Sequence, residues 1–344
     1  MRVGIVYDPI YLKHETGEHV ENPSRLVSVI SCLERNKVMP LLTSISPRLV
    51  TLDELALVHQ TQYINYIQSF ACDGGGYLDA DTVISPRSYE VALYAAGGAI
   101  RAAESVMDGT VDSVFALVRP PGHHAILNRA MGFCLFNNVA VAAKYALSKY
   151  GLERLAIIDF DVHHGNGTQG VFYGDPQVLY LSTHQSPLYP GTGYVEETGS
   201  AQARGTNINI PLPPGCGDTE FKLVFEQIIS PAVKRFQPQL ILVSAGYDAH
   251  WADSISQMQV SVAGFSAMVK IIKELAAELC SNRLVFMLEG GYNLLALAAS
   301  VQATFEVLLE EEITRDPLGP STMGKQPPDI LPLIKYIKQT HGLD

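Results

Sequence analysis

Short apolar runs alternate along the chain with longer segments of helical periodicity. Nearly continuous apolar runs are typical of strands buried on both faces of a parallel sheet, and they occupy residues 2–7, 114–118, 155–158, 240–244 and 284–288. Helical periodicity covers residues 24–36, 137–149, 218–236, 262–279 and 294–311. Ser85 and Pro86 predict the start of a further helix that runs to about Met107. This alternation predicts an α/β fold with a mostly parallel sheet flanked by helices.

The composition changes near the end of the chain. Residues 315–329 are rich in proline and glycine, which predicts a linker that leads to a short terminal helix. The residues before this linker contain no internal repeat that would indicate a second structural unit. Their number is compatible with one domain, because large α/β domains often exceed the usual domain size. We therefore predict one domain over residues 1–314, with residues 315–344 forming a proline-rich C-terminal extension that packs on the same domain.

Metal-binding side chains follow two of the predicted strands. In extended backbone, positions two apart share a face, so Asp161 and His163 can point into one cleft while His164 turns away into the core. Asp248 follows the run at residues 240–244, and ligands in open α/β sheets gather at the carboxyl ends of strands. Two carboxylates and one imidazole suit zinc, and a site with three protein ligands keeps a position open for catalysis. The sequence therefore predicts a catalytic zinc site.

Two further strand ends supply residues that such a reaction needs. His123 and His124 follow the run at residues 114–118, and Tyr292 follows the run at residues 284–288. An imidazole can act as a general base, and a phenol can donate a hydrogen bond to an oxyanion. His14, His19 and His59 have no such partner pattern. We expect these three histidines at the surface or in loops.

These segments resemble the zinc-dependent histone deacetylase superfamily, and the resemblance covers nearly the whole chain. Its nearest groups are the class II enzymes, the bacterial histone deacetylase-like amidohydrolases and the acetylpolyamine amidohydrolases. The motifs occur in the order of the family at residues 22–26, 119–124, 131–134, 159–167, 190–193, 245–248 and 289–293. Each motif alone is weak evidence, whereas their order together is specific. The resemblance implies the arginase-like fold of that superfamily.

The resemblance also implies a role for each site residue. Its zinc ligands are Asp161, His163 and Asp248. The catalytic residues are His124 as general base, His123 as its electrostatic or proton-shuttling partner, and Tyr292 as the group that polarises the acyl carbonyl. Residues that orient the imidazoles are Asp159 beside His123 and Asn166 beside His124. The acyl-lysine tunnel is lined by Phe133, Tyr189, Gly132, Ile255 and Gly291. Family members commonly bind a structural potassium ion through residues matching Asp159, Asp161, His163 and Ser182.

The resulting hypothesis is a hydrolase with one zinc ion per chain that removes acyl groups from N-acyl lysine side chains of proteins or peptides. A deacetylase of acetylpolyamines is an alternative, although Ile255 matches the position where polyamine enzymes place a glutamate, and Asp79 or Asp81 could supply a rim carboxylate instead. A binuclear ureohydrolase would need a carboxylate where Gly165 stands. A catalytically silent acyl-lysine-binding module is the alternative from another class, and Tyr292 with both imidazoles argues against it.

Composition limits the partners and the compartment. The formal net charge is -11 and no basic run is present, which argues against direct nucleic-acid binding. No apolar stretch is long enough to predict a membrane span, and no signal-peptide pattern precedes the first strand. The five cysteines lack paired spacing and are expected to be thiols. We therefore expect a cytoplasmic protein, and the sequence leaves open whether it forms homo-oligomers.

Overall fold

A single parallel sheet forms the centre of the molecule. The computed structural model describes residues 1–321 and 327–343. Within these residues, eight strands pair in the order β2-β1-β5-β10-β9-β6-β7-β8, and all of these pairs are parallel. The eight strands are β1 (Val3–Val6), β2 (Thr43–Ile45), β5 (Ser113–Ala116), β6 (Leu155–Asp159), β7 (Val178–Gln185), β8 (Asn207–Leu212), β9 (Ile241–Ala245) and β10 (Leu284–Leu288). A separate antiparallel hairpin joins β3 (Gly76–Tyr77) to β4 (Val83–Ile84).

The helices pack in two groups that flank the sheet. The first group contains α2 (Leu52–Leu55), α3 (Thr61–Cys72), α4 (Ser88–Met107), α5 (Asn138–Tyr150) and α6 (Asn166–Phe172). The second contains α1 (Ser24–Arg35), α7 (Asp218–Val224), α8 (Ser230–Phe236), α9 (Val262–Leu279), α10 (Leu294–Leu309) and α11 (Leu331–His341). Short 3₁₀ turns lie at Pro9–Lys13, Met39–Leu41 and Ala201–Ala203. Strands β5, β6, β9 and β10 are buried at every position, as expected for strands covered on both faces.

Two helix predictions differ from the structure. The helix predicted from Ser85 begins at Ser88, because the Ser88 hydroxyl accepts a hydrogen bond from the Ser85 backbone N–H at 2.7 Å and ends the preceding turn. Residues 218–236 are not one regular helix, since a π-helical turn at Phe225–Ile229 separates α7 from α8. Pro231 lies in the first turn of α8, and proline cannot donate the hydrogen bond that a regular helix would need there.

The C-terminal residues contact the rest of the molecule. The predicted terminal helix is present as α11, whose Ile334 and Ile337 belong to the main hydrophobic core. Within the predicted linker, Asp316 pairs with buried His250 at 2.9 Å. Residues 322–326 of that linker and residue 344 lie outside the described residues. All five cysteines are free thiols. In the described part of the chain, no helix has the length and apolar character needed to cross a membrane.

Candidate active site

The ends of the neighbouring strands β6 and β9 bring three metal-binding side chains together. Asp161, His163 and Asp248 are all buried, and each offers a ligand atom within 4.8 Å of the other two. His163 Nδ1 lies 3.0 Å from Asp161 Oδ1 and 3.2 Å from Asp248 Oδ2. Asp161 and His163 therefore converge as the sequence predicts, although residues 161–163 form a bend after β6, in which the His163 backbone N–H donates to Asp161 Oδ1 at 2.9 Å. His164 is buried elsewhere, between Thr192 and Gln169, which confirms its predicted core position.

The donors of this group fit a divalent cation. Backbone N–H groups orient both carboxylates, since Gly290 donates to Asp161 Oδ2 at 2.8 Å and Val162 donates to Asp248 Oδ1 at 3.0 Å. Asp248 Oδ2 is buried and accepts no hydrogen bond from the described residues. A buried carboxylate oxygen without a donor is costly unless a cation satisfies it. An oxygen, nitrogen and oxygen donor set at these positions is one that zinc accepts.

The charges within the group also favour a cation. Burial alone would lower the pKa of His163, but the carboxylates of Asp161 and Asp248, at 3.0 and 3.2 Å from its Nδ1, raise that pKa to about 10. Burial and the nearby charge of Asp161 raise the pKa of Asp248 to about 6. Two carboxylates held this close repel each other and attract positive charge, which a proton on His163 supplies in the absence of metal. A bound metal ion would take the place of that proton.

His123 and His124 lie beside the metal-binding group after β5. His123 Nδ1 is 3.1 Å from Asp159 Oδ2, and His124 Nδ1 is 2.8 Å from Asn166 Oδ1. Both contacts predicted for the imidazoles are therefore present. An amide oxygen can only accept, so Nδ1 of His124 carries the hydrogen and its Nε2 has a free lone pair. Asp159 also accepts a hydrogen bond from the Tyr180 hydroxyl at 3.0 Å, which fixes its orientation.

Tyr292 reaches the same cavity from the end of β10. Its ring lies edge-on to Phe133, with centroids 5.8 Å apart, and the Arg25 guanidinium lies 4.9 Å from its centroid. Burial, followed by the charges of Asp248 and Asp161, raises the pKa of the phenol well above its usual range even though Arg25 opposes the shift. The phenol therefore stays protonated at neutral pH and remains a hydrogen-bond donor.

A narrow cavity of about 220 Å³ connects these groups to the surface. Its lining includes His123, His124, His163, Gly132, Phe133, Tyr189, Ile255, Tyr292, Asp81, Leu188, Pro121 and Gly290. Gly291, which is predicted to line the tunnel, directly follows the lining residue Gly290. Gly290 lines the cavity, whereas the Gly291 backbone, at φ 117°, turns its carbonyl away to accept a hydrogen bond from Arg25 at 2.7 Å.

The backbone at Gly132 and Phe133 brings this wall close to the imidazoles. Both residues have positive φ, at 55° and 69°, a region that favours glycine. A Cβ atom at Gly132 would overlap the His124 ring. Glycine therefore allows the backbone to pass directly over His124, and the next residue, Phe133, forms the tunnel wall.

Sequence reasoning missed a buried charged group behind the site. Glu21, Arg25 and Arg119 are fully buried, and Glu21 pairs with Arg25 at 3.0 Å and with Arg119 at 2.5 Å. Although burial would raise it, these two guanidinium groups hold the pKa of Glu21 well below its usual range. Arg25 and Arg119 lie inside the family motifs at residues 22–26 and 119–124. In the sequence, each is a charged residue beside an apolar segment, and this was the only sign that it could be buried.

Glu289 is a further buried acid beneath His123. Its Oε2 accepts hydrogen bonds from the backbone of Gly122 at 2.7 Å and of His123 at 3.2 Å, and its Oε1 accepts one from the Ser244 hydroxyl at 3.0 Å. Burial raises the pKa of Glu289 to about 7, against the opposing charge of His123. Glu289 therefore joins the ends of β5, β9 and β10 beneath the cavity.

Two other histidines lie in loops, as one part of the expectation has it, but they are buried and not at the surface. His14 is buried against Ser88, with Nδ1 2.7 Å from its hydroxyl, and His59 is buried where its Nε2 accepts the backbone N–H of Asn137 at 2.9 Å. His19 is partly exposed and its ring lies edge-on to Phe133, with centroids 4.6 Å apart. Their partners are distant in sequence, so no local pattern reveals them.

The chain matches the family model described as histone deacetylase domain over residues 19–308. It is 42% identical over 318 residues to histone deacetylase 14, chloroplastic, of Arabidopsis thaliana, covering 88% of this chain and 75% of that protein. It is 43% identical over 296 residues to a probable deacetylase of Archaeoglobus fulgidus, covering 85% of this chain and 82% of that protein. A histone deacetylase-like amidohydrolase of Pseudomonas aeruginosa is 39% identical over 276 residues, covering 80% of this chain and 73% of that protein.

A solved structure, the HD domain of HDA15, superposes with a TM-score of 0.89 at 34% identity and covers 99% of this chain and 94% of that one. The fold and the site thus define a hydrolytic deacetylase with the arginase-like architecture. The chain belongs to the histone deacetylase family.

Proposed function

We propose that the protein is a zinc-dependent deacylase that removes acetyl groups from lysine side chains of proteins or peptides. The observation that carries this proposal is the group formed by Asp161, His163 and Asp248, which lies beside the narrow cavity that His124 and Tyr292 also line. An extended acyl-lysine side chain would enter between Phe133 and Tyr189 and present its amide to these groups. The aromatic walls would cover its methylene chain and exclude water.

Asp161, His163 and Asp248 would hold one zinc ion per chain. When bound, zinc would act as a Lewis acid toward the acyl oxygen and lower the pKa of water. A binuclear site of the ureohydrolase type is disfavoured, because the described residues contain one such ligand group and Gly165 stands where a further carboxylate would be needed.

The remaining chemistry belongs to the side chains of this protein. His124, with a free lone pair on Nε2, would take a proton from the attacking water. His123, whose proton faces Asp159, would stay charged and help to stabilise the negative charge that develops on the acyl oxygen when water attacks the amide carbon. Tyr292 would donate a hydrogen bond from its phenolic hydroxyl to the oxyanion. The protonated form of His123 or His124 would then give its proton to the leaving amine. The products are a free lysine amine and a carboxylate.

The mouth of the cavity favours a peptide over a polyamine. Ile255 lines the cavity at the position inferred for the glutamate of polyamine enzymes, and an apolar residue offers no partner to a distant ammonium group. Asp81 also lines the cavity, and burial and Asp79 raise its pKa above the usual range. This carboxylate would accept backbone hydrogen bonds from a bound peptide. Acetylpolyamines remain the second candidate substrate because Asp81 could also attract a cation.

We further propose a structural potassium ion. Asp159 and Ser182 are paired neighbours on β6 and β7, close to Asp161 and His163. The side-chain and backbone oxygen atoms of these residues suit a hard monovalent cation.

We also propose that the extension at residues 315–344 belongs to the same domain as residues 1–314. The positions of Ile334 and Ile337 in the main hydrophobic core support this assignment.

Elemental analysis and a substrate panel test the proposal. The purified protein should contain one zinc ion per chain, lose turnover on chelation and regain it when zinc is restored. An acetyl-lysine peptide, a longer acyl-lysine peptide and acetylspermidine should be compared by kcat/KM. Two metal ions per chain would support the binuclear alternative, and full activity after metal removal would refute zinc dependence. A protein that binds the acetyl-lysine peptide without hydrolysing it would be the silent binding module.

A further inference from the structure

Asp253 is a buried acid whose hydrogen bonds converge on the segment that carries Tyr292. Only 4% of its surface is exposed. Its Oδ2 accepts the backbone N–H of Tyr292 at 2.6 Å and of Asn293 at 2.9 Å. Its Oδ1 accepts the backbone N–H of Ile255 at 3.2 Å. One carboxylate therefore joins the phenol-bearing segment at the bottom of the cavity to the apolar residue in its wall.

The segment that Asp253 holds has little rigidity of its own. It runs from Glu289 through two glycines to Tyr292, and Gly291 has a φ of 117°. Glycine loses more conformational entropy on ordering than other residues, so such a turn needs external contacts to keep one shape. Arg25 supplies these contacts to the carbonyl groups, through hydrogen bonds to Gly291 at 2.7 Å and Glu289 at 2.5 Å. Asp253 supplies them to the amide groups.

The loop that carries Asp253 is itself firmly held. The loop follows the metal-binding residue Asp248, whose carbonyl accepts a hydrogen bond from the Ser256 hydroxyl at 2.7 Å. His250 Nε2 lies 2.9 Å from Asp316 Oδ2, and the Trp251 indole donates to the Gly319 carbonyl at 3.1 Å. Asp253 is thus attached to a braced loop and can impose a position on the turn it contacts.

We propose that Asp253 is a positioning residue that holds Tyr292 where its phenol can donate to the acyl oxygen. This inference rests on the proposed role of Tyr292. An oxyanion donor contributes only when it is correctly placed, and a displacement of about 1 Å can reduce a rate by about 10². Asp253 acts on the rate through Tyr292, without touching the substrate.

Asp253 could instead have a purely structural role, in which its carboxylate stabilises the start of α10. A negative charge near a helix N-terminus is stabilising, and Asp253 accepts the N–H of the capping residue Asn293. Asn293, however, already caps the helix by accepting the Ala296 N–H at 3.1 Å. The two roles give different kinetics, because a structural role would act whether or not residue 292 has a hydroxyl group.

A double-mutant cycle separates these roles. Asp253→Ala, Tyr292→Phe and the double variant are compared for kcat on an acetyl-lysine peptide, with zinc content measured for each. Asp253→Ala should lower kcat by about 10- to 100-fold in the parent. In the Tyr292→Phe background the same change should lower kcat less than about threefold, since the phenol is already gone. An equal loss in both backgrounds would overturn the proposal.

The variant Asp253→Asn keeps the test usable if the alanine variant does not fold. Its amide oxygen can still accept from the N–H groups of Tyr292 and Asn293, while its amide nitrogen would face the N–H of Ile255. Its kcat should therefore lie closer to that of the parent, and any effect on KM should exceed the effect on kcat. An asparagine variant that loses the same factor of kcat in the parent and in the Tyr292→Phe background would also refute the proposal.

Asp218→Ala is the matched control. Asp218 accepts the backbone N–H of Ser261 at 2.7 Å and its hydroxyl at 2.6 Å, so it braces the far side of the same region without contacting the Tyr292 turn. This variant should have a lower midpoint of thermal unfolding than the parent. Any effect that it has on kcat should be the same in the parent and in the Tyr292→Phe background.

Crystal structures decide the same point without turnover. If the parent hydrolyses no acyl-lysine substrate, the proposed function fails, whereas the placement of Tyr292 can still be measured. In the Asp253→Ala structure, or the asparagine structure if alanine does not fold, the phenol oxygen should shift: by about 1 Å for alanine and by less for asparagine. An unmoved phenol in the alanine variant, or an asparagine shift as large as 1 Å or more, would contradict the proposed positioning.

Discussion

His123 and His124 are adjacent in the chain and their ring centroids lie 4.0 Å apart, yet their pKa values shift in opposite directions. Burial alone would lower both. For His123, Asp159 and Asp161 outweigh burial and raise the pKa to about 10. For His124, burial is reinforced by the charges of His123 and His163, which hold its pKa well below the usual value. One imidazole is thus charged and the other neutral at the same pH, which is the pairing that a proton acceptor with an electrostatic partner needs.

Replacing Asp248 should remove the metal. In Asp248→Ala the group loses one of its three ligands, so zinc content should fall well below one per chain and hydrolysis should become undetectable. Elemental analysis and turnover of an acetyl-lysine peptide measure both effects. His164→Ala is the control, because His164 is buried away from the group and its loss should chiefly lower stability. Full zinc occupancy in the Asp248→Ala variant would show that Asp248 is not a zinc ligand.

Removing only the phenolic hydroxyl should slow the chemical step. Tyr292→Phe keeps the ring between Phe133 and Arg25, so the cavity wall and zinc content should be unchanged. Loss of one oxyanion donor typically lowers kcat by about 10² to 10³. Steady-state kinetics with KM measured separately tests this, since substrate affinity should change little. A kcat within a few-fold of the parent would mean that another group donates to the oxyanion.

Buried His59 should make the protein less stable as the pH falls. Burial lowers its pKa from 6.5 to about 4, against the opposing effect of the backbone at Ile126 and Leu127. A depressed folded-state pKa means that the unfolded chain binds the proton first, so stability is complete above about pH 6.5 and declines as the pH falls toward 4. The decline attributable to this group is at most about 3 kcal/mol. Urea unfolding at several pH values measures it.

The matching variant is His59→Gln, in which the amide oxygen can still accept the Asn137 N–H. It should show a shallower decrease of unfolding free energy between pH 6.5 and 4 than the parent, by about one proton in the slope. An identical pH dependence in the two proteins would show that His59 does not titrate differently on unfolding. Because the comparison is a difference between two proteins, other titrating groups such as His14 cancel.

The mouth residue Ile255 should set the preference between peptides and polyamines. The parent should hydrolyse an acetyl-lysine peptide with a higher kcat/KM than acetylspermidine, and Ile255→Glu should raise polyamine turnover. An ion pair in a partly desolvated mouth is worth more than one in open solvent. Leu331→Glu adds the same charge at an exposed residue that does not line the cavity and should leave the preference unchanged. If the parent prefers acetylspermidine, acetylpolyamines become the favoured substrate class and acyl-lysine peptides the second candidate.

Much of the site could be predicted from the sequence because the relevant signals are local. The spacing of two residues directly after an apolar run predicted that Asp161 and His163 share one cleft, and they do so through a bend at residues 161–163. Apolar runs located the strand ends that carry Asp248, His123, His124 and Tyr292. These strands are buried on both faces, and such strands have an unambiguous apolar pattern. Strand β7 and the edge strand β8 were missed because polar residues interrupt the apolar pattern of both strands. His184 in β7 and Asn207 and Asn209 in β8 are buried through hydrogen bonds that form in the folded chain.

Only the tertiary structure decided how these groups interact. The Arg25 contact to Gly291 and the Asp253 contact to Tyr292 join residues far apart in sequence, so no periodicity could reveal them. The opposite pKa shifts of His123 and His124 follow from a difference in neighbours that are themselves brought together by folding. Sequence determined which chemical groups stand at each strand end, because secondary structure depends on local pattern. The fold determined their charges and orientations, because electrostatic interactions and hydrogen bonds depend on distances between separate strands.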